Sequence, residues 1–125
     1  MTGKYDENNI FAKILRGDIP CNTVYEDDHV LAFHDISPQA PIHILVIPKG
    51  KYIDIADFGA NANSQEIKAF WNAVYLIAAE QGINSKGFRV ISNSGPNAGQ
   101  EVPHFHAHIL GGRTLGPMLS QDRAA

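Results

Sequence analysis

The stretch Pro103-His104-Phe105-His106-Ala107-His108-Ile109-Leu110-Gly111-Gly112 constrains the fold of this chain more than any other. Three of the six histidines alternate there with Phe105, Ala107 and Ile109. In a strand, this period of two sends the imidazoles to one face and their apolar neighbours to the other. With a rise of about 3.3 Å per residue, successive imidazoles start about 6.6 Å apart, so two can engage one small reacting group. A helix would put His104 and His108 on one face and His106 nearly opposite. Pro103 and Gly111-Gly112 also punctuate a short strand better than a helix, so the stretch is read as a strand.

A row of imidazoles admits three readings. The first is a half-buried strand whose polar face happens to be histidine, against which stands the cost of crowding groups that titrate near neutrality. The second is a metal site, since imidazole is a common zinc ligand. Three positions along one strand fan out in a line, so an ion would use two of them plus His43. The third is nucleophilic catalysis by one imidazole, with its neighbours holding the tautomer, donating protons and binding negative charge. The loop Asn93-Ser94-Gly95-Pro96-Asn97-Ala98-Gly99-Gln100 favours the third, because it can aim backbone N–H groups and the amides of Asn93 and Gln100 at an oxyanion.

Composition narrows the setting. With 125 residues, 44% of them hydrophobic, the chain fits one domain with a modest core. A formal charge of −3 and ten unclustered Lys and Arg argue against a nucleic-acid groove. No apolar run reaches the roughly 18 residues of a membrane span, and Met1-Thr2-Gly3-Lys4-Tyr5-Asp6 lacks a signal-peptide core. Cys21 stands alone, which excludes an internal disulfide and a Cys-rich zinc site. A cytoplasmic location is expected.

In chain order, residues 1–8 are polar and expected to fray. Asn9 to Gly17 places apolar residues at 10, 11, 14 and 15, the face of a short helix with Asn9 as N-cap and Gly17 as stop. Thr23–Glu26 and His29–His34 form a hairpin around Asp27-Asp28, with His29 solvated and His34 and Asp35 at a strand end. After the turn-rich Ser37-Pro38-Gln39-Ala40-Pro41, Ile42–Ile47 reads as a central strand covered on both faces. His43 is its single polar position, and it needs a partner that the histidine row can supply. Ile53–Gly59 reads as a loop or short turn. Asn63 and Glu66 form a capping box before a long helix whose stripe is Ile67, Phe70, Trp71, Val74, Ile77 and Ala78, ended by Gly82. Gly87–Ser92 is a strand hairpinned through the Asn93–Gln100 loop to the histidine strand. The order predicts an α+β domain with about five antiparallel strands, helices on one face, and a side left open to dimerisation.

His104 to Leu110 resembles the His-φ-His-φ-His-φ-φ motif of the histidine-triad (HIT) superfamily, φ being apolar. Phe33 to Pro41, His43 to Lys49, Gly99 to Val102 and Gly111 to Arg113 resemble its Hint branch, the purine nucleoside phosphoramidases. The tail Leu115-Gly116-Pro117-Met118-Leu119 is similar to bacterial members, and the likeness spans residues 9 to about 119. It implies a single HIT domain over residues 1–125, with a flexible N-terminus at 1–8 and a C-terminal tail at 113–125. The implied fold is a five-stranded antiparallel sheet with two helices, whose homodimer forms a ten-stranded sheet.

The resemblance implies hydrolysis of AMP- or GMP-amine adducts to the nucleoside monophosphate and amine, with no cofactor. His106 would be the nucleophile, His108 the main and His104 the weaker proton donor, and His43 the outlying fourth histidine. Asp35 would bind the ribose, while Ile10, Phe11, Ile14, Ile19, Phe33, His34 and Ile36 would wall the base. Asn93, Gln100 and the backbone near Val102 would face the α-phosphate. Crowding of the histidines is expected to hold their pKa values down. A dinucleoside polyphosphate hydrolase or nucleotidyltransferase of the same superfamily, and a nucleotide-binding scaffold, are the competing functions. The Cys-x-x-Cys that zinc-holding relatives carry is replaced by Asn9 to Ala12, so His43 and His104 are not expected to bind zinc tightly. Glu101 stands where eukaryotic members have serine, and Pro103 where an aromatic is common.

Overall fold

A computed structural model describes residues 4–120. Apolar alternation and turn chemistry lay down five strands, β1 (Thr23–Glu26), β2 (Val30–His34), β3 (Ile42–Pro48), β4 (Arg89–Ile91) and β5 (Ala107–Gly111). They form one antiparallel sheet in the order β1-β2-β3-β5-β4, so the nearly all-apolar β3 lies at its centre. Three α-helices join it, α1 (Ile10–Leu15), α2 (Ile55–Asn61) and α3 (Ser64–Glu80). No helix among the described residues is long and apolar enough to cross a membrane.

Alternation sorts the strands' side chains into two cores. On one face Val30, Ala32, Ile44, Val46, Ala107 and Ile109 pack with Phe70, Ala73, Val74, Ile77 and Ala78 of α3. On the other, Leu31, Phe33, Leu45 and Ile47 pack with Phe11 of α1. The expected single helical face is therefore corrected, because α1 and α3 cover opposite sides of the sheet. His108 pairs with Leu45 across β3 and β5 and so belongs to the α1 side.

Several local expectations hold and others need correcting. Asn9 accepts the Ala12 N–H, and Asn63 with Glu66 completes the capping box of α3. Trp71 is not in the core of α3, being 47% exposed and meeting Phe70 edge-on, while Ala73 takes an inward position beside it. Ile53–Gly59 is no loop. Asp54 caps α2 by accepting the Asp57 N–H, and Phe58 anchors the helix in the core. With Gly59 inside it and one buried residue, α2 has no apolar period to read. Of the segment expected to fray, residues 4–8 are described, and the Tyr5 hydroxyl there bonds to His104 Nδ1; residues 1–3 and 121–125 lie outside the described set.

The histidine segment is only partly a strand. In the β3–β5 register Val46 faces Ala107, and continuing it would set Pro48 opposite Phe105. Proline has no N–H to donate, so the ladder stops and β5 begins at Ala107. The preceding segment finds other partners, with the Phe105 N–H donating to the Tyr52 carbonyl at 2.7 Å. The Phe105 ring is buried against Phe58 at 4.7 Å and Phe70 at 4.8 Å. Phe105→Ala is expected to cost about 3–5 kcal/mol in urea unfolding, because it empties this aromatic cluster. A loss below about 1 kcal/mol would mean the ring does not anchor the segment.

Candidate active site

Phe105, Ala107 and Ile109 bury into the α3 core, which turns His106 and His108 to the opposite side. There they meet α1, and the rings of Phe11 and His106 pack edge-to-face with their centres 4.9 Å apart. Between α1, the end of β2 and the 93–102 loop opens a cavity of about 670 Å³. It is lined by Ile10, Phe11, Ile14, Ile19, Phe33, His34, Asp35, Ile36, Asn93, Gln100 and Val102 together with His106 and His108. The residues expected to wall a base, hold a ribose and face a phosphate thus share one cavity. His104 and His43 do not line it; each stands behind a histidine that does.

The partners of each ring fix its tautomer. A carbonyl can only accept, so His106 donates Nδ1–H to the His104 carbonyl at 2.7 Å and keeps the lone pair on Nε2. Ser92 donates its hydroxyl to the His106 carbonyl at 2.8 Å and steadies the same residue. His104 donates Nε2–H to the Pro48 carbonyl at 2.9 Å, and its Nδ1 accepts the Tyr5 hydroxyl at 2.6 Å. With both nitrogens bonded and the ring fully buried, His104 is a strut with no route to the cavity as a proton donor. The role expected for it as a weaker donor is corrected accordingly.

On the other flank, the Gln39 N–H donates to His43 Nδ1 at 3.0 Å, which places the His43 proton on Nε2. That nitrogen lies 2.9 Å from His108 Nδ1 and 3.5 Å from an Asp35 carboxylate oxygen. His108 therefore accepts at Nδ1 and carries its proton on Nε2. Asp35, His43 and His108 have their ligand atoms within 4.8 Å of one another, a spacing that suits a metal ion. The chemistry does not fit one, because the Gln39 N–H occupies the only lone pair of neutral His43. The Gln39 N–H, His43 and His108 form a hydrogen-bond relay, with the Asp35 carboxylate beside it.

Gln100 is similarly committed. Its amide donates to the carbonyls of Ile53 at 2.8 Å and Val102 at 3.0 Å, and its Oε1 accepts the Gly95 N–H at 2.8 Å. It shapes the loop around the cavity, whereas among the described residues no such bond engages the Asn93 amide. Tyr5 and Gln39 were not foreseen. Tyr5 sits in a polar segment without period, and Gln39 acts through its backbone, which any residue but proline supplies.

Burial sets the ionisation of the row. It pushes His104 down to about 4 from an ordinary 6.5, with the Pro48 carbonyl opposing and His106 adding repulsion. His108 is also pushed down to about 4, first by burial and then by His106 and His43, with Asp35 opposing. His106 is lowered by burial, opposed by the His104 carbonyl, Asp35 and Glu101. Burial outweighs the crowding expected to lead.

The geometry has many precedents. The HIT domain model matches residues 16–115. The chain belongs to the HIT family. It is 54% identical to an uncharacterized 13.2 kDa HIT-like protein of Azospirillum brasilense, over 97% of this chain and 99% of that one. It is 47% identical to the purine nucleoside phosphoramidase of Escherichia coli, over 91% and 95%. A solved HIT family hydrolase from Clostridium thermocellum superposes with a TM-score of 0.83 at 40% identity, covering 92% of this chain and 99% of that one.

Because these histidines hold protons at 6.5 when unfolded but only near 4 when buried, the unfolded chain binds more protons between those values. Stability is expected to be full above pH 6.5 and to fall as pH drops toward 4. The melting temperature across that range checks the slope. Nitrogen-edited NMR checks its source, and a His104 ring titrating near 6.5 would contradict it.

Proposed function

We propose that this HIT-family chain hydrolyses the P–N bond of purine nucleoside 5′-phosphoramidates through a nucleotidylated His106. The observation that carries this reading is the bond from His106 Nδ1–H to the His104 carbonyl, which leaves Nε2 as a lone pair open to the cavity. Burial keeps that nitrogen unprotonated at neutral pH. The likeness to the E. coli purine nucleoside phosphoramidase supports the substrate class.

In the proposed reaction, His106 Nε2 forms a bond to phosphorus as the P–N bond breaks. The electron pair leaves with the amine nitrogen, which needs a proton, because a bare amide anion is far too basic to depart. His108 is the donor. A bound phosphate anion favours its cationic form, as does the negative charge of Asp35 beside it. Water then attacks phosphorus, gives a proton back to His108 and displaces the His106 ring. Ile10, Phe11, Ile14, Ile19, Phe33, His34 and Ile36 hold the flat base, and Asp35 accepts from the ribose hydroxyls. The Asn93 amide and the backbone near Val102 meet the phosphate.

Replacing His106 by Ala is expected to lower kcat for an adenosine phosphoramidate by roughly 10⁴ or more. Mass spectrometry of rapidly quenched wild type should find one nucleotide on the 104–108 peptide. Retained activity or an unmodified peptide would remove His106 from the role. Asp35→Ala should raise KM, and an unchanged KM would refute the ribose contact.

We also read the chain as a homodimer. Among the described residues β4 is an outer strand, paired on one side only, with β5. Val90 on it is 37% exposed, as are Trp71, Tyr75 and Leu76 of α3 at 47%, 59% and 38%. A second copy pairing β4 to β4 would extend the sheet and cover this apolar strip. Sedimentation should give twice the chain mass, and Val90→Asp should shift it toward the monomer; a wild-type monomer would refute the pairing.

A further inference from the structure

A second cavity, of about 330 Å³, opens beside the first and shares Gln39, Asn93 and His108 with it. Its position follows from the strand. Leu110 shares the His108 side of β5, so nucleophile, proton donor and second cavity succeed one another at two-residue steps of about 6.6 Å. An in-line displacement sends the leaving group away from the attacking nitrogen. With His106 attacking, the departing nitrogen passes His108 and the rest of the amine lies over Leu110.

The lining of this cavity is chemically distinctive. Leu110, Ile91 and Leu115 give apolar surface, and Arg89 and Arg113 give two guanidinium groups. Arg89 is held by the carbonyls of Gly116 at 2.9 Å and Pro117 at 3.2 Å. Arg113 is held by those of Thr114 at 2.8 Å and Gln39 at 3.1 Å. Neither has a carboxylate partner among the described residues. Each therefore stands fixed by neutral acceptors, with further N–H donors and a full positive charge left for a ligand.

We propose that the Arg89–Arg113 cavity is a leaving-group subsite, and that the preferred substrates are phosphoramidates whose amine carries an anionic group on a short apolar arm. Carboxylate and phosphate share the chemistry the guanidiniums recognise. This deepens the phosphoramidase reading and rests on it.

The test compares kcat/KM for AMP joined through nitrogen to β-alanine, to β-alanine methylamide and to 2-aminoethyl phosphate. Wild type should favour at least one anionic substrate over the methylamide by about tenfold or more, and whichever anion leads names the source. Arg113→Gln should bring that ratio close to one, while Arg113→Lys retains part of it. Raised ionic strength should shrink the wild-type ratio, which gives a readout independent of any variant. Equal turnover of the three substrates, or a ratio insensitive to both Arg113→Gln and salt, overturns the subsite and leaves the phosphoramidase reading standing. Failure of all three to react overturns both.

Discussion

Two backbone carbonyls govern this site. The Pro48 carbonyl takes the His104 Nε2–H, and the His104 carbonyl takes the His106 Nδ1–H. The two bonds form a chain from the end of the central strand to the ring that faces the cavity, and each settles the tautomer of the ring that donates. Without the second, the lone pair of His106 would have no defined position. The chain exists because proline cannot extend the β3–β5 ladder, so Pro48 leaves its carbonyl to a side chain and β5 starts late.

A second chain runs on the other flank, from the Gln39 N–H through His43 to His108. Its polarity is opposite, because it starts from a donor and ends by leaving His108 with an N–H toward the cavity. One ring presents a lone pair and its neighbour presents a proton, although both belong to the same residue type on the same side. Backbone groups made the difference, and they also account for the metal-like spacing of Asp35, His43 and His108 without an ion.

Burial then does what like-charge crowding alone would do less well. The α3 core on one face and Phe11 on the other exclude water from His104 and His106, so the rings stay neutral where free histidine would begin to protonate. The same exclusion makes the row a load on stability in acid, and the aromatic packing of Phe105 carries that load in the fold.

Much of this was readable from the residues. The alternation from His104 to Ile109 put the imidazoles on one side and the apolar residues on the other, because side-chain direction in extended backbone is a local property. The caps at Asn9 and Asn63 and the central β3 were equally accessible, being carried by side-chain types at short spacing, whereas the residues of the cavity lining came from the family likeness alone. Tertiary structure alone decided that His104 braces while His106 and His108 face the cavity. It also decided that α1 rather than α3 covers that face, that α2 exists, and that Arg89 and Arg113 converge. Those outcomes depend on carbonyls, amide hydrogens and distant strands, and a backbone group is the same in every residue until the fold gives it a neighbour.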